Sequence, residues 1–210
     1  MPVPFLLLLL LLLFAPAPAQ SATPPFRLTV LGDSLVAGYG LDAADAFPAQ
    51  LERALREQGC RVAVSNAGVS GDTTAGGRAR LDWVLAEPPK LVIVELGAND
   101  ALRGLPPQAA ADNLGAILAR LRERGIPALL AGMRAPRNLG AEYYTKFDAL
   151  YPQLAERFQV PLYPFFLEGV TGVAELNQED GIHPNRRGVA EIVRRMLPLV
   201  TTTLGPGVCP

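Results

Sequence analysis

A serine and a histidine that lie far apart in the 210-residue chain are of the types that together perform nucleophilic chemistry. Ser34 follows a short apolar segment and a glycine, and His183 is the only histidine in the protein. A hydroxyl becomes an effective nucleophile when an imidazole accepts its proton and a carboxylate orients that imidazole. Asp180 lies three residues before His183, and Gly181 permits a tight turn that returns the carboxylate to the ring. These three side chains predict a serine nucleophile with a histidine base.

Each of the three residues also has an ordinary structural interpretation. Gly32, Asp33 and Ser34 are residue types that favour turns, and Asp180 could simply begin a turn or a helix. An isolated histidine is commonly a surface residue or a hydrogen-bonded core residue. The catalytic hypothesis therefore depends on whether the fold brings the two ends of the chain together.

Five apolar segments alternate with segments of helical periodicity. We predict strands over residues 28–31, 61–65, 91–96, 128–131 and 160–163. Helices are predicted over residues 48–58, around 81–85, over 107–124 and 142–158, and onward from Pro184 as the first helical position. The third strand has the continuous apolar character of a parallel strand covered on both faces. The alternation predicts an α/β fold, a three-layer α/β/α sandwich with a five-stranded, mostly parallel sheet and right-handed crossovers.

Polar residues and glycines cluster at the predicted carboxyl ends of the strands. They occupy residues 32–34, 66–73, 97–100 and, after a longer loop, 180–185. In an open parallel sheet, ligands bind outside the carboxyl ends of the strands. We therefore expect Ser34, Asn99 and His183 to lie on one rim of the sheet, although asparagines such as Asn66 and Asn99 are also common turn residues.

Composition and charge argue against several classes of protein. Half of the residues are hydrophobic, which suffices for one packed domain. The net charge of −1 and the lack of a basic run leave no electrostatic footprint for nucleic acid or for an anionic membrane surface. One histidine and two distant cysteines cannot form a tetrahedral zinc site. We expect no metal, no cofactor and no nucleic-acid partner.

The first 25 residues are predicted to lie outside the folded domain. Residues 5–14 are ten large apolar residues, eight of them leucine, a run too short to span a bilayer of ~30 Å as a helix. Ala17-Pro18-Ala19 resembles a signal-peptidase site, so we predict a cleaved signal peptide over 1–19 and a periplasmic or secreted protein without a membrane span. A leader over 20–25, a domain over 26–203 and a tail over 204–210 follow. An uncleaved anchor is the alternative, because no Lys or Arg precedes the apolar run.

The two cysteines, Cys60 and Cys209, could form a disulfide in an exported protein. Cys209 lies in a tail rich in proline and glycine, beyond the last predicted helix. The sequence does not determine whether the two sulfur atoms meet, so both states remain open.

The four polar segments resemble, in order, the sequence blocks of the SGNH, or GDSL, hydrolase family. The matching residues are Gly32-Asp33-Ser34-Leu35, Gly71 within Ser70-Gly71-Asp72-Thr73, Gly97-Ala98-Asn99-Asp100 and Asp180-Gly181-Ile182-His183. The resemblance covers about residues 26–200 and is strongest to the bacterial secreted arylesterases and the thioesterase I/lysophospholipase subgroup. One such block is a weak signal, whereas four at predicted strand ends are specific. The G-x-S-x-G elbow of the α/β hydrolases is not matched, since position 36 is Val.

The resemblance implies the flavodoxin-like SGNH fold and a serine esterase that cleaves carboxylic ester or thioester bonds. Ser34 would attack the acyl carbon and form an acyl-enzyme. His183 would accept and return the proton, and Asp180 would orient the imidazole. We expect Asp33 to shape the turn rather than to transfer protons.

The resemblance further implies an oxyanion hole formed by the backbone N–H groups of Ser34 and Gly71 and the side-chain amide of Asn99. The substrate would be a small acyl or aryl ester or thioester, held between residues 101–107 and 133–144. Apolar residues in these walls favour an acyl chain or an aromatic ring; they are Leu102, Leu105, Met133 and Leu139. Three arginines could attract an anionic head group or could be ordinary surface charges; they are Arg103, Arg134 and Arg137.

Three alternative functions remain open. A nucleotide-binding protein is suggested by Gly38, Gly40 and Ala43, which form a G-x-G-x-x-A string, but the string begins six residues after the glycine that ends the first strand. A ligand-binding module without catalytic activity would use the same fold. A carbohydrate O-deacetylase would use the same fold and the same triad. We expect the protein to be a monomer.

Overall fold

The computed structural model of the protein describes residues 25–210. The predicted signal peptide over 1–19, and all but the last residue of the predicted leader, lie outside the described residues. Within residues 25–210, no helix has both the length and the apolar character needed to cross a membrane.

The centre of the protein is a five-stranded sheet with the strand order β2-β1-β3-β4-β5. The strands are β1 (Phe26–Gly32), β2 (Val62–Gly68), β3 (Leu91–Glu95), β4 (Ala128–Ala131) and β5 (Leu162–Tyr163). Every pairing between neighbouring strands is parallel. The predicted α/β fold is confirmed, and all five carboxyl ends lie on one edge of the sheet.

Eight α-helices connect or follow the strands within residues 25–210. They are α1 (Ser34–Ala37), α2 (Phe47–Glu57), α3 (Thr74–Ala79), α4 (Leu81–Val84), α5 (Ala98–Leu102), α6 (Pro107–Glu123), α7 (Ala141–Phe158) and α8 (Arg186–Leu204). Helix α2 packs against α8, whereas α6 packs against α3 and α7. Right-handed crossovers place these two groups on opposite faces of the sheet, which gives three layers.

The hydrophobic core lies on both faces of the central strands. All five residues of β3 are buried, as are Val30 and Leu31 of β1 and Leu129 and Leu130 of β4. Burial of a side chain of this size contributes roughly 1.5–3 kcal/mol relative to leaving it exposed. The strands are therefore held firmly, and their carboxyl ends give fixed starting points to the loops that follow.

Strand β2 is longer than predicted. The prediction ends it at residue 65, but residues 66–68 continue in register beside Val30–Gly32 of β1. Asn66 therefore lies in a strand rather than in a loop. Beyond it, the predicted single helix around residues 81–85 is replaced by two short helices, α3 and α4.

Helix α8 begins later than predicted. The prediction places Pro184 at the first helical position, but the helix begins at Arg186. The Asn185 side chain caps the helix by accepting two backbone N–H groups of the first turn. Pro184 instead pairs with Asn177 in an antiparallel bridge. This bridge closes the base of the loop that carries His183.

Cys60 and Cys209 form a disulfide across a sequence separation of 149 residues. Both residues are buried, and the Arg61 backbone N–H donates to the Val208 oxygen at 3.0 Å beside them. The bond attaches the C-terminal tail to the segment that enters β2, at the edge of the sheet opposite the carboxyl ends. A crosslink that closes so long a loop stabilises the fold by about 5 kcal/mol in the chain-entropy treatment.

Candidate active site

The turn after β1 places Ser34 at the first position of α1. The Asp33 Oδ1 atom accepts the backbone N–H of Leu35 at 3.0 Å and caps this short helix. Gly32 is required because a Cβ there would lie 2.8 Å from the backbone oxygen of Glu95. The turn fixes the main chain of Ser34, which remains partly exposed at the rim of the sheet.

The side chains of Ser34, His183 and Asp180 form one continuous hydrogen-bonded set. His183 Nε2 lies 3.0 Å from Ser34 Oγ, and His183 Nδ1 lies 2.6 Å from Asp180 Oδ2. Because the Asp180 carboxylate accepts a hydrogen bond from the Nδ1–H group, the lone pair on Nε2 faces the serine hydroxyl. The three side chains that the sequence singles out therefore meet in the arrangement of a nucleophile, a base and an orienting carboxylate.

The loop around Asp180 holds its carboxylate in the ionised form. Asp180 Oδ1 accepts the backbone N–H groups of Ile182 and His183, each at 2.9 Å. The His183 N–H, then the His183 ring and the Ile182 N–H, lower the pKa of Asp180 to about 2. Gly181 adopts a φ of +67°, which permits the turn that folds the carboxylate back onto the ring.

Gly71 and Asn99 lie on the loops after β2 and β3, next to the turn that carries Ser34. Gly71 adopts a φ of +83°, and no hydrogen bond within residues 25–210 uses its N–H. Asn99 Nδ2 donates to Asp33 Oδ2 at 3.1 Å and to the backbone oxygen of Asp72 at 2.9 Å. The Asn99 amide nitrogen is thus held between the nucleophile turn and the Gly71 loop.

Two charged residues outside the predicted triad and oxyanion hole join these loops. Asp100 is buried and accepts both the backbone N–H and the hydroxyl of Thr74, at 2.8 Å and 2.6 Å. Arg80 pairs with Asp72 at 2.7 Å and donates to the Gly32 oxygen at 2.9 Å. Asp100 belongs to the sequence block Gly97-Ala98-Asn99-Asp100, which could have indicated that it joins the loops of the site. No sequence signal marks Arg80, since it resembles any other arginine of the helical segments.

Two buried carboxyl groups lie beside the nucleophile turn. Asp33 is fully buried, and desolvation raises its pKa to about 6 despite hydrogen bonds from Leu35 and Asn99. Burial also raises the pKa of Glu95, the last residue of β3, well above the usual range, and the Asp33 charge adds to this effect. The Asp33 N–H group acts in the opposite direction and lowers the pKa of Glu95, but this effect is smaller than that of burial. Neither Glu95 carboxyl oxygen reaches hydrogen-bond geometry with a partner in the described chain, so the protonated form is favoured.

A cavity of about 540 Å³ opens beside Ser34 and His183. Its apolar lining includes Leu35, Leu102, Met133, Phe165, Leu167 and Ile182. Residues 133–137 form one wall, as predicted, but Leu102 is the sole contribution of residues 101–107, and Leu139 is not part of the lining. Residues 165–171 form a wall that was not predicted, because no periodic pattern marks the segment after β5.

The three arginines near the cavity differ in their partners. Arg103 donates to the Gly71 backbone oxygen at 2.7 Å, and Arg137 pairs with a carboxylate of α7 at 2.8 Å. Arg134 lines the cavity with its guanidinium 4.7 Å from the centre of the Phe165 ring, and it forms no ion pair within residues 25–210. Of the three, Arg134 is the one available to an anionic group on a ligand.

The glycine string after α1 does not form a phosphate-binding loop. Gly38 ends α1 with a φ of +82°, and a Cβ on Gly40 would lie 2.2 Å from Gln178 Oε1. The next element is a three-residue 3₁₀ turn, Ala43–Asp45, rather than a helix whose N-terminus could receive a phosphate. These contacts argue against the nucleotide-binding alternative.

Comparisons with known proteins show the family to which the chain belongs. The sequence model of the GDSL-like Lipase/Acylhydrolase family matches residues 30–190. Esterase TesA of Pseudomonas aeruginosa is 41% identical over 178 residues, which cover 84% of this chain and 89% of that protein. Thioesterase 1/protease 1/lysophospholipase L1 of Escherichia coli K12 is 45% identical over 160 residues, or 76% of each protein. The crystal structure of AlinE4, an SGNH-hydrolase family esterase, shares 50% identity and a TM-score of 0.74, covering 88% of this chain and 100% of that one. The chain belongs to the GDSL-like lipase/acylhydrolase family, the SGNH hydrolases.

Proposed function

We propose that the protein is a serine esterase that hydrolyses carboxylic ester or thioester bonds through an acyl-enzyme. The observation that carries the proposal is the alignment of three side chains: Ser34 Oγ lies 3.0 Å from His183 Nε2, and His183 Nδ1 lies 2.6 Å from Asp180. The relatives support the type of bond, since they are named as an esterase and as a thioesterase and lysophospholipase. The roles of the individual residues are inferred from their contacts.

In the first half-reaction, Ser34 Oγ attacks the carbonyl carbon of the substrate while its proton passes to His183 Nε2. The Asp180 carboxylate stabilises the imidazolium that forms. When the tetrahedral intermediate collapses, the bond from carbon to the alcohol oxygen or thiol sulfur breaks. His183 gives the proton to that leaving group, and the acyl group remains on Ser34 as an ester.

In the second half-reaction, water attacks the acyl carbon and His183 Nε2 accepts a proton from it. The bond from the acyl carbon to Ser34 Oγ then breaks, and His183 returns the proton to this oxygen. The products are a carboxylic acid and the free enzyme. Substrate and water are the only reactants that these two steps require.

Three N–H donors would stabilise the negative oxygen of each tetrahedral intermediate. They belong to the backbones of Ser34 and Gly71 and to the side chain of Asn99. The oxyanion would share the Asn99 amide with its present acceptors on Asp33 and Asp72. One donor of this kind contributes ~3–4 kcal/mol to transition-state stabilisation.

The lining of the cavity favours a substrate with an acyl chain or an aromatic ring. Leu102, Met133 and Phe165 offer apolar contact next to Ser34, and burial of apolar surface is favourable by ~25 cal/mol per Å². Arg134 offers a partner for an anionic head group, such as the phosphate of a lysophospholipid. A series of aryl esters, acyl-CoA thioesters and lysophospholipids of increasing chain length would rank these classes. We expect Arg134→Gln to raise KM for the anionic substrates and to leave KM for neutral aryl esters unchanged.

The nucleophile is tested by Ser34→Ala with an aryl ester as substrate. We expect kcat to fall by ~10³-fold or more, with no burst of phenol release. Ser65→Ala is the matched control, since Ser65 is an exposed residue of β2 outside the site, and its activity should equal that of the wild type. Full activity of Ser34→Ala would require another nucleophile.

The same substrates distinguish the two remaining alternatives. Activity on acetylated sugars above that on medium-chain aryl esters would favour a carbohydrate O-deacetylase that uses this triad. Saturable binding of aryl esters without release of phenol would favour a ligand-binding module. The apolar lining of the cavity leads us to expect no preference for acetylated sugars, and the alignment of Ser34, His183 and Asp180 leads us to expect release of phenol.

We also propose that the protein acts as a monomer in the periplasm or outside the cell. The apolar run and the small-residue cleavage site within residues 1–19 support export. The disulfide between Cys60 and Cys209 suits an oxidising compartment, and one chain supplies all three triad side chains. N-terminal sequencing of fractionated cells should find Gln20 as the first residue, and light scattering should give the mass of one chain. Intact Met1 in the membrane fraction would favour an uncleaved anchor.

A further inference from the structure

The side chain of Gln178 connects the segment that follows Ser34 to the loop that carries His183. Gln178 Nε2 donates to the backbone oxygen of Tyr39 at 2.7 Å and to the backbone oxygen of Pro184 at 3.0 Å. The first of these bonds crosses a sequence separation of 139 residues. One carboxamide therefore joins the two parts of the chain that hold the proposed nucleophile and base.

Backbone hydrogen bonds extend this connection to Ser34 and His183 themselves. The Tyr39 N–H donates to the Ser34 oxygen at 3.1 Å, and the Gln178 N–H donates to the His183 oxygen at 2.8 Å. The path runs from the main chain of Ser34 through Tyr39 and Gln178 to the main chain of His183. It uses none of the atoms between which the proton would move.

The surroundings of Gln178 fit its carboxamide closely. A Cβ on Gly40 would lie 2.2 Å from Gln178 Oε1, so a residue without a side chain leaves the necessary room. Nearby, the Tyr39 ring lies against the His183 ring, with centroids 4.6 Å apart and planes inclined at 37°. The loop that carries His183 is therefore packed onto the segment after α1 at this point.

Two neighbouring carboxamides donate hydrogen bonds only within the loop. The side-chain N–H groups of Asn177 and Asn185 donate to backbone oxygens within residues 170–177, at 2.8–3.0 Å. These bonds determine the internal shape of the loop. Of the three carboxamides, Gln178 alone reaches the segment that follows Ser34.

We propose that Gln178 is a positioning residue that sets the distance between Ser34 Oγ and His183 Nε2. The proposal rests on the catalytic roles proposed above for these two side chains. Proton transfer requires the two atoms to stay within hydrogen-bond reach. Without the Gln178 bonds, the loop can move away from Ser34 as a unit, with His183 still paired to Asp180. A displacement of ~1 Å in such an alignment can lower a rate on the order of 100-fold.

Gln178→Met tests this role because it keeps the length of the side chain and removes both N–H donors. We expect kcat for an aryl ester to fall ~10- to 100-fold, with KM changed less than about twofold, because Gln178 does not line the cavity. The rate constant for fluorophosphonate labelling of Ser34 should fall by the same factor. The low-field proton resonance of the His183 Nδ1–H should persist, since its partner Asp180 lies in the same loop.

Gln50→Met is the matched control. Gln50 Nε2 also donates to two backbone oxygens, those of Asp45 at 2.8 Å and Arg186 at 3.1 Å, and so links α2 to α8. Its loss should lower the melting temperature and leave kcat unchanged. An unchanged kcat in Gln178→Met, or an equal loss of kcat in both variants, overturns the positioning role.

Ser34→Ala keeps the two proposals separable. Hydrolysis by Ser34→Ala refutes the proposed nucleophile, whatever Gln178→Met does. An inactive Ser34→Ala together with a fully active Gln178→Met refutes the positioning role alone.

Discussion

Asp33 Oδ2 accepts a hydrogen bond from Asn99 Nδ2 at 3.1 Å, so the residue before the proposed nucleophile holds a donor of the proposed oxyanion hole. The other oxygen of the same carboxyl group accepts the Leu35 N–H and caps α1. One buried side chain thus orients both Ser34 and Asn99. Asp33 shapes the turn, as the sequence suggests, and it also reaches across to the loop after β3.

Asp33→Asn should disturb this arrangement without changing the size of the side chain. An amide nitrogen must then face either the Asn99 donor or the Leu35 N–H, and each placement loses a hydrogen bond. We expect kcat to fall ~10-fold or more with a small change in KM, because the loss concerns transition-state stabilisation. Steady-state kinetics on an aryl ester measure the effect.

A double-mutant cycle with Asn99→Ala shows whether Asp33 acts through Asn99. In the Asn99→Ala background, Asp33→Asn should reduce kcat by a much smaller factor than it does in the wild type. Fully additive losses would contradict the coupling between the two side chains.

Asp180→Asn should remove the charge that supports the His183 imidazolium. We expect kcat to fall by on the order of 10⁴-fold, because the amide also favours the wrong tautomer of the ring. Glu179→Gln is the control, since it removes the neighbouring carboxylate outside the triad, and its kcat should match the wild type. Similar activity of Asp180→Asn and wild type would exclude Asp180 from the mechanism.

The Asp180 carboxylate should also affect stability at acidic pH. Folding lowers its pKa from 3.8 to about 2, so its stabilising contribution is present above pH ~4 and is lost as the pH falls towards 2. The melting temperature of the wild type relative to Asp180→Asn should therefore decrease below pH ~4. A difference that stays constant through this range would contradict the lowered pKa.

Glu95→Gln tests the buried carboxyl group that lacks a hydrogen-bond partner. Burial raises the pKa of Glu95 above its ordinary value of 4.5, so the unfolded chain releases this proton first as the pH rises. The contribution of the protonated Glu95 to the free energy of unfolding is complete below pH ~4.5 and decreases progressively above it. Urea unfolding should show that Glu95→Gln gains stability relative to the wild type as the pH rises above ~4.5. The prediction fails if the difference between the two proteins is independent of pH.

Removal of the disulfide should reduce stability and spare the chemistry. The paired change Cys60→Ser and Cys209→Ser frees the C-terminal tail, and the chain-entropy treatment sets the loss at up to about 5 kcal/mol. Because the bond lies at the edge of the sheet opposite Ser34, kcat at a temperature where the variant is folded should be unchanged. Reduced wild-type protein should behave like the variant. Equal melting temperatures of the oxidised and reduced forms would contradict the stabilising role.

The strands and their order along the chain could be predicted because burial on both faces leaves continuous apolar runs. The predicted bounds of β4 match the observed ones, and those of β3 differ by one residue. The extension of β2 to Gly68 could not be predicted, since it depends on pairing with β1 rather than on apolar character. The predicted start of α8 differs from the observed one because Pro184 fits a first helical position equally well, and the cap formed by Asn185 decides the boundary.

The triad could be singled out because its residue types are unusual and its blocks follow strand ends. The supporting contacts could not, since each joins side chains that are ordinary in their own segments. The Glu95 carboxyl is hidden within a strand pattern, and the bond from Gln178 to the Tyr39 oxygen crosses 139 residues. The pairing of the two cysteines depended on where the tail returns, which only the fold determines.

The most direct test of the proposed mechanism is to label the active enzyme with a fluorophosphonate and locate the adduct by tandem mass spectrometry. We expect a single adduct on Ser34, formed in proportion to the loss of esterase activity. An adduct on another serine, such as Ser21, Ser65 or Ser70, or the absence of any adduct on active enzyme, would contradict the assignment of Ser34 as the nucleophile.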